Sequence, residues 1–159
     1  MRIGVISDTH RISKYIEESK EKICDCDVLI HLGDNTDDVR ELTQNFYGEV
    51  YTVRGNCDFD IRYPSERIIE LDGIKLFITH GDKYGVKYSL TNIYYKGKEI
   101  GADIVLFGHT HVSCIEEEDG LILMNPGSVS LPRGTGRSLG IIDIKDGHIK
   151  DVFLKHLEI

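Results

Sequence analysis

The chain opens with an apolar run, "RIGVIS", followed by a segment in which Ile12, Ile16 and Ile23 fall near one helical face. That pattern predicts a strand, a loop and a helix. It repeats: "DVLIHL" leads into "DNTDDVRELTQN", whose Asp- and Thr-rich start suits a helix N-terminus, and "EVYTVR" follows as a third strand. Two successive βα units predict parallel strands joined by right-handed crossovers. After Pro64 the pattern changes to paired runs separated by Asp-Gly. "ERIIEL" and "IKLFIT" flank Asp72-Gly73, "CIEEE" and "LILMN" flank Asp119-Gly120, and "LGIIDIK" and "HIKDVFLKHLE" flank Asp146-Gly147. Asp-Gly in this setting predicts hairpins, because a type I′ turn needs positive φ. Between the first two hairpins, Val86, Leu90, Ile93 and Tyr94 stand at helical spacing within 86–100, and "GADIVLF" supplies a further buried strand. The expected fold is α/β, two packed mixed β-sheets flanked by helices, in one domain over residues 1–159.

Composition narrows the class. With 159 residues, 40% hydrophobic and 29% charged, and no biased tract, the chain reads as an ordinary globular protein with one core. The start, "MRIGVISDTH", lacks the apolar core of a signal peptide, and no stretch approaches the roughly 20 apolar residues of a spanning helix. The expectation is a cytoplasmic protein with no membrane partner. Cys24, Cys26, Cys57 and Cys114 read as reduced thiols, since no second Cys or His pair accompanies "CDC" at zinc-finger spacing. A net charge of -8 argues against stable nucleic-acid binding. A phosphate-bearing ligand would need a local source of positive charge.

The candidate chemistry lies at the ends of five strands that read as buried. "IGVIS" runs into Asp8 and His10, "VLIHL" into Gly33 and Asp34, "VYTVR" into Gly55 and Asn56, "LFIT" into His80, and "IVLF" into Gly108, His109 and His111. In open α/β sheets, ligands bind outside the carboxyl ends of the strands, so one crevice is expected to collect all of these residues. Four imidazoles, two carboxylates and an amide oxygen form a nitrogen and oxygen donor set suited to Mn²⁺, Fe, Zn²⁺ or Ni²⁺. Seven donors are too many for one ion and about right for two sharing a carboxylate. His31, in the strand before Asp34, is open to two readings: an orienting donor to Asp34 or packing.

"DTH", "GD", "GNCD", "THGD" and "GHTH", in this order, resemble the motifs of calcineurin-like metallophosphoesterases, and "NPGSVSLPRG" resembles their small prokaryotic phosphodiesterase branch. The resemblance spans most of the chain and implies a β-sandwich flanked by helices. It implies that Asp8, His10 and His111 hold one metal and Asn56, His80 and His109 the other, with Asp34 bridging. Mn²⁺ is the expected ion and a small phosphoester the expected partner; oligomeric state is left open, with a homodimer as the one alternative named. The implied reaction is phosphodiester hydrolysis by a metal-bridging hydroxide. Two divalent ions less two carboxylates leave about +2 in the crevice, which supplies the missing positive charge.

Cys57 departs from the broader family, many of whose members place a histidine there to protonate the leaving group. A thiol with pKa near 8.5 carries no positive charge at neutral pH, which favours a diester with a good leaving group over a dianionic monoester. Asn56, His109 and Cys57 are the candidate catalytic residues. Two alternatives stay open: a phosphomonoesterase, and a non-catalytic scaffold like the retromer subunit that resembles this family. "GTGRS" lacks the lysine of a P-loop, and no Gly-x-Ser-x-Gly elbow surrounds Ser128 or Ser138.

Overall fold

A computed structural model describes residues 1–158. Strands β1 (Arg2–Ile6), β2 (Val28–His31) and β3 (Glu49–Thr52) alternate with helices α1 (Ser13–Lys22) and α2 (Asp38–Leu42). Then come β4 (Glu66–Leu71), β5 (Ile74–Thr79), helix α3 (Thr91–Ile100), β6 (Ile104–Leu106), β7 (Cys114–Glu118), β8 (Leu121–Asn125), β9 (Ser138–Lys145) and β10 (His148–His156). They form two five-stranded sheets, ordered β10-β9-β1-β2-β3 and β4-β5-β6-β8-β7. β1, β2 and β3 pair in parallel, as do β5, β6 and β8, while each Asp-Gly hairpin pairs antiparallel. Asp72, Asp119 and Asp146 take φ of 47°, 50° and 54°, and the glycine after each is also positive, as the hairpin turn requires.

Period-2 alternation sorts the apolar side chains into three layers. Ile3, Val5, Ile30, Leu76, Ile78 and Ile142 fill the space between the sheets. Ile6, Leu29 and Ile141 point the other way, against Ile16, Ile23 and Leu42 of α1, α2 and their flanks. Phe77, Val105 and Leu123 meet Val86 and Ile93 on the far side of the second sheet. The fold is therefore the expected pair of mixed sheets flanked by helices.

Three local expectations change. The second helix is only five residues long, because Asp34 and Asn35 adopt left-handed φ of 61° and 64° and delay its start. The third helix begins at Thr91 rather than near Val86. Left-handed Gly85 and the turns that follow it carry Val86 and Leu90 to the core without helical backbone. β3 is an edge strand with Glu49 and Val50 exposed, although it read as buried. None of these helices is long and apolar enough to cross a membrane, and all four cysteines are free.

Candidate metal centre

The parallel core strands β1, β2, β5 and β6 end on the same side, and the loops after them deliver the polar residues. Asp8, His10, Asp34 and His111 come together with one donor atom each, all within 4.8 Å of one another. His10 Nε2 lies 3.2 Å from His111 Nε2, and His111 Nε2 lies 3.2 Å from Asp8 Oδ1. His80 Nε2 is 3.4 Å from Asp34 Oδ1 and 3.9 Å from Asp8 Oδ1. The His109 ring sits edge-on to that of His80, with centroids 5.1 Å apart. Asn56 and Cys57 are exposed on the next loop, and Asn56 Nδ2 donates to Cys57 Sγ at 3.7 Å. The Cys57 main-chain N–H donates to Asp34 Oδ1 at 3.0 Å.

The orientation of the imidazoles is fixed from behind. His80 Nδ1–H donates to Leu32 O and His111 Nδ1–H to Leu131 O, each at 2.7 Å, so both rings turn Nε2 toward the carboxylates. Asp8 Oδ1 and His80 Nε2 are buried without a hydrogen-bond partner. Two orphaned atoms of this kind in one pocket ask for a cation. Ligands of one ion at metal–nitrogen distances of about 2.0 to 2.1 Å stand roughly 3.0 to 3.4 Å apart, which the closest donor pairs match. The donor set fits a divalent transition metal.

The charges agree. Burial favours the neutral form of Asp8, yet His111, His80 and the Ser7 hydroxyl together hold its pKa down. Asp34, against burial, is lowered by His80 and the Cys57 N–H. Burial alone would push His80 down, but Asp34 and Asp8 hold it up to about 9. The pocket's negative field thus draws a proton to His80, a proton that a bound metal ion would displace. His111 is raised chiefly by Asp8, whereas burial and His80 lower His109.

Close approach makes two glycines obligatory. A Cβ on Gly55 would strike Asp34 Oδ1, and one on Gly108 would strike Ser7 Oγ and Asp8 Oδ2. Backbone strain gathers here too: Asp8, His10, Asp34, His109 and His111 all have φ between 48° and 71°.

Several supporting residues were not singled out by sequence. Asp58 accepts main-chain N–H bonds from Asp34, Thr36 and Gly55, tying the loops after β2 and β3 together. Buried Asn125 donates to Gly108 O and to Thr110 Oγ1. Ser128 and Ser130 donate to the carbonyls of Asp8 and Thr9. No periodic signal marks such residues; a lone Asp after "GNC" and the run "NPGSVS" were the visible hints. His31 accepts from Gly33 N–H through Nδ1 and touches Thr9 Oγ1 through Nε2, without reaching the Asp34 carboxylate. Arg137 stacks over Tyr15 at 4.0 Å.

The calcineurin-like phosphoesterase superfamily domain matches residues 1–147. The chain belongs to this superfamily. A probable metallophosphoesterase of Methanothermobacter thermautotrophicus is 36% identical over 158 residues, 95% of this chain and 90% of the relative. A phosphodiesterase of Methanocaldococcus jannaschii is 27% identical over 176 residues, covering 98% of this chain and 100% of its own. Among solved structures, zinc-complexed Vps29 of Entamoeba histolytica superposes with a TM-score of 0.80 over 98% of this chain and 97% of its own. At 18% identity that likeness speaks for the calcineurin-like fold alone.

Proposed function

We propose that the protein is a phosphodiesterase that works with two divalent metal ions. The observation that carries this reading is the pair of buried, unpartnered atoms Asp8 Oδ1 and His80 Nε2, placed against further donors of His10, Asp34 and His111. One ion would be held by Asp8, His10 and His111 and the other by Asn56, His80 and His109, with Asp34 shared. When bound, such ions, Mn²⁺ first and Ni²⁺, Zn²⁺ or Fe as alternatives, would supply Lewis-acid charge against the phosphate oxygens and lower the pKa of water toward neutrality.

The chain's own groups orient and exclude. Carbonyls of Leu32 and Leu131 lock the His80 and His111 rings in the ligating tautomer. Burial and the Asp34 carboxylate raise the Cys57 thiol, so it stays protonated and uncharged at neutral pH. It offers little to a poor leaving group and nothing to a dianion. This supports diesters over monoesters, as does the name of the Methanocaldococcus relative.

The test is a metal-by-substrate screen with an activated aryl diester, the matching monoester and nucleotides. Faster turnover of the diester with Mn²⁺ is the expected result. A monoester preference makes the protein a phosphomonoesterase. Metal uptake without any turnover favours the scaffold reading, to which the fold shared with Vps29 gives its specific support.

A further inference from the structure

Beside the metal centre lies a second cavity of about 430 Å³, lined by Val86, Leu90, Phe107 and Val112, with Lys87 and Arg133 as its cations. It contains none of the candidate metal ligands but shares backbone with three of them. Thr110, on its wall, stands between His109 and His111. Arg133 N–H donates to His111 O at 2.9 Å. Gly81, directly after His80, packs on Val86 and Phe107. In a chain of net charge -8, an apolar cavity whose only charged lining residues are cations has a defined complement. That complement is an apolar body carrying a negative charge.

We infer that this cavity is the subsite for one ester substituent of the substrate, and that the substituent is an aromatic or other bulky apolar group bearing its own anionic group. The subsite role rests on the phosphodiesterase reading; binding of the ligand class does not. Burying a ring here favours aryl over methyl substituents, and the two cations favour a charged aryl over a neutral one. A substituted aryl ester and the base-plus-phosphate portion of a nucleotide share this chemistry.

The experiment has two arms on the full chain. In the first, fluorescence titrations with anilinonaphthalene sulfonate and its uncharged parent phenylnaphthylamine are run with and without added Mn²⁺. The sulfonate should bind the more tightly, by about fivefold at low salt, and the advantage should shrink as salt screens the cations. Lys87→Ala with Arg133→Ala should abolish that advantage. Val112→Trp, at a position 42% exposed and so tolerant of bulk, should weaken both dyes about tenfold. In the second arm, p-nitrophenyl phosphodiesters with the same leaving group and a methyl, phenyl, carboxyphenyl or nucleoside 3′-phosphate substituent are compared. The phenyl to methyl ratio of kcat/KM should be about ten or more, and should fall toward one in Val112→Trp. Carboxyphenyl and nucleotide substrates then separate the two sources of the same chemistry. Dye affinities untouched by either variant would overturn the ligand assignment. Variant-sensitive dye binding with equal turnover of methyl and phenyl esters would overturn the subsite role. Variant-sensitive dye binding with no diester hydrolysis at all would overturn the phosphodiesterase reading and the subsite role with it, and uphold the ligand class.

Discussion

Two of the loops that carry candidate ligands are held by different means. The loop after β6, with Gly108, His109 and His111, rests on a buried network: Asn125 holds Gly108 and Thr110, while Ser128 and Ser130 fasten the adjoining Asp8 and Thr9 carbonyls. The loop after β3, with Asn56 and Cys57, is exposed, and its apolar neighbour Phe59 is 94% exposed. Its main tie is one side chain, Asp58, which accepts three main-chain N–H bonds, and Asp34 adds one by accepting the Cys57 N–H. A shared network spreads the consequence of losing any one member, whereas a single carboxylate concentrates it. The difference predicts that damage to the first loop is graded and damage to the second is abrupt.

The largest effect is expected at the residue both metals would share. Asp34→Asn removes the charge but keeps a side chain that tolerates φ of 61°, so the fold should survive. Metal content, measured by elemental analysis, and diester turnover should both fall to background. Full activity in this variant would place the site elsewhere and make the two loops irrelevant to function.

Next comes a pH effect that acts beneath the site. His31 is wholly buried, and burial pushes its pKa down to about 4 from an ordinary 6.5. The folded state therefore binds its proton less readily than the unfolded chain, so stability should decline as pH falls from 6.5 toward 4, by up to about 3 kcal/mol. Above pH 6.5 this contribution is constant. Chemical denaturation across this range should show a shallower pH dependence for His31→Gln than for the parent chain, and equal slopes would remove His31 as the cause.

The contrast between the loops also separates what sequence conveyed from what it did not. The strand ends and the three Asp-Gly turns were legible because each depends on neighbours in sequence: alternation, a φ preference, a glycine. The shortened second helix was not, because its limit comes from left-handed Asp34 and Asn35, a conformation tied to the site rather than to helix propensity. β3 read as buried from its apolar-rich run, but burial of a strand depends on its place in the sheet, and it lies at an edge. Asp58 and Asn125 were missed for a related reason. Apart from Gly55, the partners named above are 15 to 24 residues away in the chain, and hydrogen bonds of that span leave no local pattern.

Asp58→Ala tests the main tie directly. Three buried or half-buried N–H groups lose their acceptor, which should cost about 1 to 3 kcal/mol and lower metal affinity about 10- to 100-fold. Ser130→Ala, which deletes one bond within the denser network, should move affinity far less. Competition titrations with a metal indicator would rank the pair, and equal losses would erase the distinction between a shared and a single tie.

The smallest effect is expected at Cys57, although it sits in the more fragile loop. Its contact with Asp34 is made by the main-chain N–H, which any residue except proline supplies, and its exposed thiol stays protonated. A group acting as general acid is worth about 10²-fold or more, so Cys57→Ala separates the two roles cleanly. A change in kcat below about fivefold is expected, and a hundredfold loss would make the thiol a proton donor. Cys57→Pro, by contrast, deletes the N–H that Asp34 accepts and should resemble damage to the tie rather than loss of a side chain. Cys57→His keeps that N–H while adding an imidazole, so it should raise the monoester to diester ratio through the leaving group. An unchanged ratio in Cys57→His would leave the backbone as this residue's whole contribution.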